Sequence, residues 1–132
     1  MTPPEAPEDT TGNPPPAVSV CLKTMRKRAD FLAAARGPRL AKPGFVVQAR
    51  NRKDGEATIR VGFTASKKVG NAVARNRAKR RLRAVAREVL VHKGRPGWDY
   101  VLIARRDTTA SLKFTELLAD LGEALSKLHN RA

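Results

Sequence analysis

The sequence predicts an α+β protein in which a layer of helices packs against a small sheet. Two segments, 45–50 and 57–66, have the composition or the alternation of strands. Two others, 73–88 and 111–128, repeat apolar residues at helical spacing. The chain has 132 residues, 41% of them hydrophobic, which suits one domain with a modest core.

The first 17 residues differ in composition from the rest of the chain. They are rich in Pro and Thr and contain three acidic residues but no Lys or Arg. Such a segment has too few apolar side chains to offset the entropy lost on ordering. We therefore expect 1–17 to be a disordered, Pro-rich acidic tail and 18–132 to form a single domain. That domain has 27 basic and nine acidic residues, a net charge of +18.

A first helix is predicted over 28–37, which reads RADFLAAARG, because alanine favours helix. Gly37 suits a left-handed position just past the helix end. The segment 45–50, FVVQAR, is then expected to be a strand. We expect it to form an antiparallel hairpin with 57–66, because the pair Asp54-Gly55 between them is typical of a tight turn.

The segment 57–66 has the period of two that a strand with one buried face requires. The apolar positions in this alternation are Ile59, Val61 and Phe63. A later segment, 98–105, reads WDYVLIAR and is almost continuously apolar. Continuous apolarity predicts a central or parallel strand that is buried on both faces.

Residues 73–88, VARNRAKRRLRAVARE, contain seven basic side chains and are predicted to form an amphipathic helix. Its apolar stripe comprises Ala74, Ala78, Leu82, Val85 and Val89. The opposite side carries a row that we call the basic ridge, formed by Asn76, Arg80, Arg83 and Arg87, with Arg77 and Arg81 along one flank. A final amphipathic helix is predicted over 111–128, with Phe114, Leu117, Leu118, Leu121, Leu125 and Leu128 on its apolar side.

The charge distribution indicates a polyanionic partner. The whole chain carries a net charge of +15, its pI is about 11.3, and residues 57–87 contain no acid. A solvated surface helix usually mixes charges of both signs, so the ridge favours binding of nucleic acid over that simpler reading. Lys67 and Lys68 precede the basic helix, where unpaired backbone N–H groups would also attract phosphate.

The sequence argues against chemistry carried by the protein. One Cys and two separated histidines, His92 and His129, cannot supply the four ligands of a zinc site, and each His is expected to be an ordinary surface or helix-end residue. The few carboxylates are scattered, so we predict no catalytic residue and no metal-binding residue.

The longest apolar run has about five residues, the chain has no secretory signal, and its single Cys fits a reducing compartment. These features predict a cytoplasmic protein with no membrane partner and no required protein partner.

Residues 61–83, VGFTASKKVGNAVARNRAKRRLR, resemble the signature of the protein subunit of bacterial ribonuclease P. The triplet Arg75-Asn76-Arg77 within it is similar to the RNR motif of that family. The resemblance extends to KRADF at 27–31, FVV at 45–47 and DYVLIAR at 99–105. A bare triplet would be weak evidence, whereas this long stretch in this order is specific.

The resemblance implies a four-stranded sheet packed with three helices in the order α-β-β-β-α-β-α. It adds a short strand near 39–41 that the residue pattern alone does not predict. It also implies a left-handed crossover from the strand ending near Ser66, through the basic helix, to the strand at 99–105. General chirality rules would favour a right-handed crossover.

The resemblance further implies that the protein assists a catalytic RNA subunit in removing the 5′ leader of precursor tRNA. Mg²⁺ would serve the active site of that RNA. The residues implied to face the RNA subunit are Lys67, Lys68, Arg77, Arg80, Arg81 and Arg83. The residues implied to line or border a cleft for the leader, between the first helix and the sheet, are Phe31, Val46, Gln48, Arg75, Asn76 and Lys79.

The chain departs from the family pattern in having few aromatic residues in this cleft, since Ala35 and Gln48 stand where family members often have aromatic side chains. Stacking on aromatics contributes about 1–3 kcal/mol per base, so this cleft should depend more on electrostatic contacts with the backbone. Core packing remains an alternative role for Phe31.

Two other functions stay open from the residues alone: a basic ribosomal or other structural RNA-binding protein, and a nuclease that acts without RNA, which would need the paired carboxylates that the chain lacks.

Overall fold

The computed structural model describes residues 22–131. The acidic tail predicted over 1–17 and the single Cys21 lie outside the described residues. A short 3-10 helix, Lys67–Val69, precedes the basic helix. The other elements in chain order are β1 Leu22–Thr24, α1 Arg28–Ala35, β2 Arg39–Lys42, β3 Phe45–Asn51, β4 Ile59–Thr64, α2 Ala72–Lys93, β5 Trp98–Ala104, α3 Thr108–Ser111 and α4 Phe114–Arg131.

The α+β class is confirmed, but the sheet of the described chain has five strands where four were expected. Its order is β1-β4-β5-β3-β2, with β1 parallel to β4, β4 parallel to β5, and the pairs β5–β3 and β3–β2 antiparallel. The fifth strand is β1, whose three residues are too few to show a period. The described helices are also more numerous than the predicted three, because the four-residue α3 precedes α4. The strand expected near 39–41 is confirmed as β2.

The predicted hairpin between the segments at 45–50 and 57–66 is wrong, because β5 lies between β3 and β4. β5 is buried on both faces, as its continuous apolarity predicts for a central strand. A central strand is hydrogen-bonded to a neighbour along each edge, and here the neighbours are β3 and β4. The connection from β3 to β4 passes the start of β5, where the guanidinium of Arg52 donates to the carbonyls of Trp98 and Thr58 at 3.1 and 2.6 Å. The connection from β4 through α2 to β5 joins adjacent parallel strands, and its left-handed sense stays a prediction.

The two faces of the sheet are covered differently. One face packs against α2 and α4 in the main core, whose largest side chains include Phe45, Leu82, Tyr100 and Leu121. We call the other the open face; within residues 22–131 it carries only α1 and a small second cluster in which Met25, Ala34 and Val101 are buried. A surface for binding can therefore form on the open face next to α1.

The amphipathic pattern of α2 is confirmed. Ala78, Leu82, Val85 and Val89 are buried and Ala74 is half-buried. The side chain of Asn71 caps the helix by accepting a hydrogen bond from the backbone N–H of Ala74 at 2.9 Å. Lys67 and Lys68 precede this helix, as expected, and lie in the separate 3-10 helix; their attraction of phosphate stays a prediction.

Gly37 does not adopt the predicted left-handed conformation, since the described glycines with positive φ are Gly55, Gly70 and Gly97. A Cβ on Gly37 would lie 2.5 Å from the carbonyl oxygen of Ala49, so the position needs glycine for close approach of two backbones. No helix within 22–131 is both long and apolar enough to cross a bilayer.

Candidate nucleic-acid interface

The basic ridge is exposed along its full length on α2, as predicted. Within residues 22–131, no Lys or Arg of α2 forms an ion pair with a carboxylate. The guanidinium of Arg83 lies 5.5 Å from the centre of the Phe63 ring, so it leans towards β4. The ridge thus presents positive charge that the described protein does not neutralise.

The residues predicted to face the RNA subunit lie at three places around this helix. Arg80 and Arg83 line an open groove of about 480 Å³ together with Val73, Asn76 and Lys79. Arg77 lies on another side of α2, in a depression shared with Arg105 and Asp107. Lys67 and Lys68 are exposed on the 3-10 helix, where the Ser66 hydroxyl accepts from the backbone N–H of Lys68 at 3.3 Å.

Arg81 is more constrained than its neighbours. It is half-buried, and its Nη1 donates to the carbonyl of Ala110 at 2.5 Å and to that of Thr109 at 3.4 Å. These contacts connect α2 to α3. Arg81 therefore stabilises the fold, and only the part of its guanidinium left exposed can contact an external phosphate.

The open face of the sheet brings three of the predicted leader-cleft residues together. Gln48 pairs with Val101 and Val46 with Ile103 across β3 and β5, so their side chains share a face. The Phe31 ring of α1 lies over Gly62 of β4, where a Cβ would be 2.5 Å from Cε1 of Phe31. Phe31 is half-buried, whereas Val46 and Gln48 are 9% and 6% exposed and contribute more to the floor than to the rim.

The other three residues of the predicted leader set lie on α2. Asn76 and Lys79 line the same groove as Arg80 and Arg83, which were placed in the RNA-subunit set. Arg75 is half-buried, and its Nε is buried without a hydrogen-bond partner in the described chain. On α2 the two predicted sets are therefore interleaved, and the assignment of each residue to one RNA stays a prediction.

One basic depression was missed by the sequence analysis. A volume of about 650 Å³ at the end of β5 has an apolar floor that includes Val46 and Ala104. The basic residues around it are Arg39, Lys68, Arg105 and Arg106. Arg105-Arg106 could have been noticed from the sequence, since two cations follow an apolar strand directly. The contribution of Arg39 depends on β2, which no periodicity shows.

A buried ion cluster on the open face was also missed. Asp99 is fully buried, and Arg60 binds it in a bidentate manner, with both N···O distances 2.8 Å. Arg52 donates to the same carboxylate at 2.8 Å, and Arg50 lies 3.6 Å away. The hydrogen bond to Asp99 raises the pKa of Arg60. For Arg52, hydrogen bonds to Asp99 and Asp54 outweigh a burial effect that would lower its pKa, so that pKa is also raised. These arginines are therefore committed to the fold.

His129 lies near the end of α4, one of the two places expected for it, but it is buried and not a surface residue. Its Nε2 lies 2.7 Å from the Tyr100 hydroxyl, which accepts from the backbone N–H of Arg95 at 2.9 Å. The Tyr100 hydroxyl can donate to His129 when the imidazole is neutral and its Nε2 carries no proton. Burial, assisted by the charge of Arg95, lowers the pKa of His129 to about 4. Burial raises the pKa of Tyr100 to about 12. His92 is exposed, as expected.

The described residues also bear on metal binding. Between residues 22 and 131, no three His, Cys, Asp or Glu side chains lie close enough to hold a metal ion. The donors that hard divalent cations require are either dispersed or, like Asp99, surrounded by guanidinium groups. Among the described residues, the exposed side chains of the basic ridge are groups that attract phosphate rather than a cation.

Comparison with known proteins gives a consistent result. The sequence model of the family described as Ribonuclease P matches residues 22–129. The ribonuclease P protein component of Ruegeria pomeroyi is 64% identical over 120 residues, covering 87% of this chain and 96% of the relative. That of Caulobacter vibrioides is 52% identical over 107 residues, covering 81% of this chain and 71% of the relative.

Solved structures of the same name share the fold. The RNase P protein of Staphylococcus aureus has a TM-score of 0.62 and 32% identity, covering 79% of this chain and 93% of that one. The RNase P protein of Thermotoga maritima has a TM-score of 0.59 and 30% identity, covering 83% and 97%. With its acid-free ridge, its α+β fold and these relatives, the chain belongs to the family of ribonuclease P protein components, RNA-binding subunits of an endoribonuclease that acts in tRNA processing.

Proposed function

We propose that this protein is the non-catalytic subunit of its ribonucleoprotein and binds two RNAs with different surfaces. The basic ridge and its neighbours bind the ribonuclease P RNA. The cleft between α1 and the open face binds the single-stranded 5′ leader of precursor tRNA. One observation carries the proposal: the exposed basic side chains of α2 have no acidic partner in the described chain, whereas the arginines beneath the cleft are already paired.

In this proposal the chemistry belongs to the RNA. Phosphodiester hydrolysis needs an activated water and stabilisation of charge on the phosphate oxygens, commonly through two metal ions about 3.5–4 Å apart. The described residues hold no cluster that could bind such ions, so the proposal assigns Mg²⁺ to the RNA subunit. The protein would contribute substrate affinity and screening of repulsion between two RNAs. A cytoplasmic location is part of the same proposal.

Reconstitution tests the division of labour. The isolated protein should leave precursor tRNA intact at every Mg²⁺ concentration. The complex with ribonuclease P RNA should cleave at the mature 5′ end, and should do so at lower Mg²⁺ than the RNA alone, because the cationic surface replaces part of the screening. Cleavage at that position by protein freed of all RNA would refute the proposal and favour a nuclease that acts without RNA.

The same complex tests the leader cleft. Phe31→Ala should weaken binding of precursor tRNA more than binding of mature tRNA, which has no leader, by a factor of about ten if one base stacks on the ring. Phe31→Tyr is the matched variant, because it keeps an aromatic face. Thermal unfolding of both proteins separates this effect from loss of packing on Gly62. Lower stability with unchanged preference for precursor would assign Phe31 to the core.

A further inference from the structure

α1 forms the wall of the proposed leader cleft that does not belong to the sheet. It has only eight residues, and Lys27 at its N-cap position makes no capping hydrogen bond through its side chain. Helices this short are unstable by themselves in water. The position of α1 over the open face is therefore decided by its contacts with the sheet.

The middle and the C-terminal end of α1 are held by packing. Ala34 is fully buried in the small cluster with Met25 and Val101, and the Phe31 ring lies on Gly62. Just past the helix, the Pro38 carbonyl accepts from the backbone N–H of Ala49 at 3.1 Å. These contacts restrain one end of α1 and the centre of its inner face.

The N-terminal end of α1 is held by an ion pair. Oδ2 of Asp30, in the first helical turn, lies 3.2 Å from Nη1 of Arg60 on β4. Nε and Nη2 of the same guanidinium are bound to fully buried Asp99. Arg60 is therefore fixed before Asp30 meets it, so the pair costs less side-chain entropy than a typical surface pair.

We propose that the Asp30–Arg60 ion pair positions α1 for leader binding. It fixes the N-terminal end of the helix and so holds Phe31 over the open face on which Val46 and Gln48 lie. Asp99 is the fixed point of this arrangement, because it orients Arg60. The inference rests on the proposed function, since it assigns a role to α1 within the leader cleft.

The sign of the expected effect separates positioning from simple electrostatics. Asp30 is an acid close to a surface proposed to bind an anion. If its charge acted only through space, Asp30→Asn would strengthen leader binding by removing a repulsion. If Asp30 positions α1, the same substitution weakens it. Because small misplacements of a positioning element reduce binding and rate steeply, we expect a loss of about three- to tenfold in the affinity ratio of precursor to mature tRNA.

The experiment uses the full chain, free and assembled with ribonuclease P RNA. The test variant is Asp30→Asn, and Asp30→Glu should restore most of the effect because its carboxylate can still reach Arg60. Asp54→Asn is the matched control, since Asp54 forms its ion pair with Arg52, at 2.9 Å, and not with a residue of α1. The double variant Ala29→Glu with Asp30→Asn keeps an acid in the first turn and controls for the helix dipole. Amide hydrogen exchange over 28–35 reports helix position without any RNA.

The proposal expects faster exchange in α1 and a reduced precursor preference for Asp30→Asn and for the double variant, whereas Asp30→Glu and Asp54→Asn should stay close to wild type. Unchanged exchange would overturn it, and so would faster exchange with unaltered or increased precursor preference. If the wild-type complex itself shows no preference for precursor, the leader cleft fails, while the exchange data still decide whether the pair holds α1. The two failures are thus distinguishable.

Discussion

Arginine has opposite roles in two regions of this molecule. Around Asp99, guanidinium groups from three residues surround one fully buried carboxylate, and two of them donate hydrogen bonds to it at 2.8 Å. On the basic ridge, guanidinium groups of the same kind are exposed and have no carboxylate partner in the described chain. Charge that is balanced within the protein serves the fold, and charge that is left unbalanced is available to a partner.

The energetics of the two regions differ for the same reason. A buried carboxylate is tolerated only when cations and hydrogen bonds compensate its lost hydration. The intact Asp99 cluster is therefore compatible with a stable fold, whereas removing one of its members leaves a buried charge without compensation. The ridge has no such dependence within the fold, and the repulsion among its exposed charges is reduced by salt or by a bound polyanion. Substitutions in the two regions should therefore affect different measurements.

The largest effect is expected at Asp99. Asp99→Asn keeps the shape of the side chain but leaves Arg52 and Arg60 with only the more exposed Asp54 and Asp30 as acidic partners. Removing one partner of a buried pair destabilises proteins by about 3–5 kcal/mol. Chemical denaturation should show a loss of that size. Asp54→Asn, on an exposed side chain that also pairs with Arg52, should change the unfolding midpoint far less. Equal losses for the two variants would mean that burial does not distinguish these pairs.

The Asp99 cluster could not be predicted from the sequence. Asp99 lies within an almost continuous apolar strand, and its presence there reads as one interruption of a buried run. Arg60 falls on the polar side of an alternating strand, which is also the pattern of a solvated residue. The two meet because β4 and β5 are neighbours, and strand neighbours are set by contacts between distant segments. The hairpin prediction failed for the same reason.

Periodicity within one element was more informative. The apolar stripe of α2, the ridge opposite it and the burial of β5 all follow from local spacing and were confirmed. His129 was missed although it had a signal, since it lies four residues after buried Leu125 and so on the apolar side of α4. The assignment of Phe31, Val46 and Gln48 to a cleft rests on family resemblance and stays a prediction, because nothing in their local pattern distinguishes a cleft from a core.

The second largest effect on stability is expected at His129, a basic group that burial keeps neutral. Its pKa is lowered to about 4, against an ordinary value near 6.5, chiefly by burial. Above about pH 6.5 the folded and unfolded chains bind no proton there, and stability is complete. As the pH falls, the unfolded chain gains the proton first, so stability should decrease between about pH 6.5 and 4, by up to about 3 kcal/mol, and then level off.

A pair of histidine variants isolates this contribution. His129→Gln can still accept the hydrogen bond from Tyr100 but does not titrate, so its stability should depend less on pH in that window. His92→Gln, on the exposed end of α2, should leave the wild-type profile unchanged. The measurement is the unfolding midpoint from pH 4 to 8. Identical pH profiles for His129→Gln and wild type would show that the pKa of His129 is not lowered in the folded protein.

Substitutions in the basic ridge are expected to change the free energy of unfolding least, in contrast to Asp99. Arg80 and Arg83 are exposed, and Arg83 lies over the Phe63 ring, a contact worth about 0.5–1 kcal/mol at an exposed site. Arg80→Ala with Arg83→Ala should therefore reduce the free energy of unfolding by no more than about 1 kcal/mol. Removing two like charges from a crowded helix face offsets part of even that loss.

The same double variant should be conspicuous in RNA binding. Each phosphate that a cation neutralises contributes about 0.7–0.9 to the slope of log affinity against log salt, so two lost contacts should flatten the slope by roughly 1–2 units for ribonuclease P RNA. Lys113→Ala with Lys127→Ala removes the same charge from α4 and the residue before it, and should leave the slope close to wild type. If both double variants flatten the slope equally, net charge alone draws the RNA. If neither does, the ridge lies outside the interface, and its unbalanced arginines need another partner.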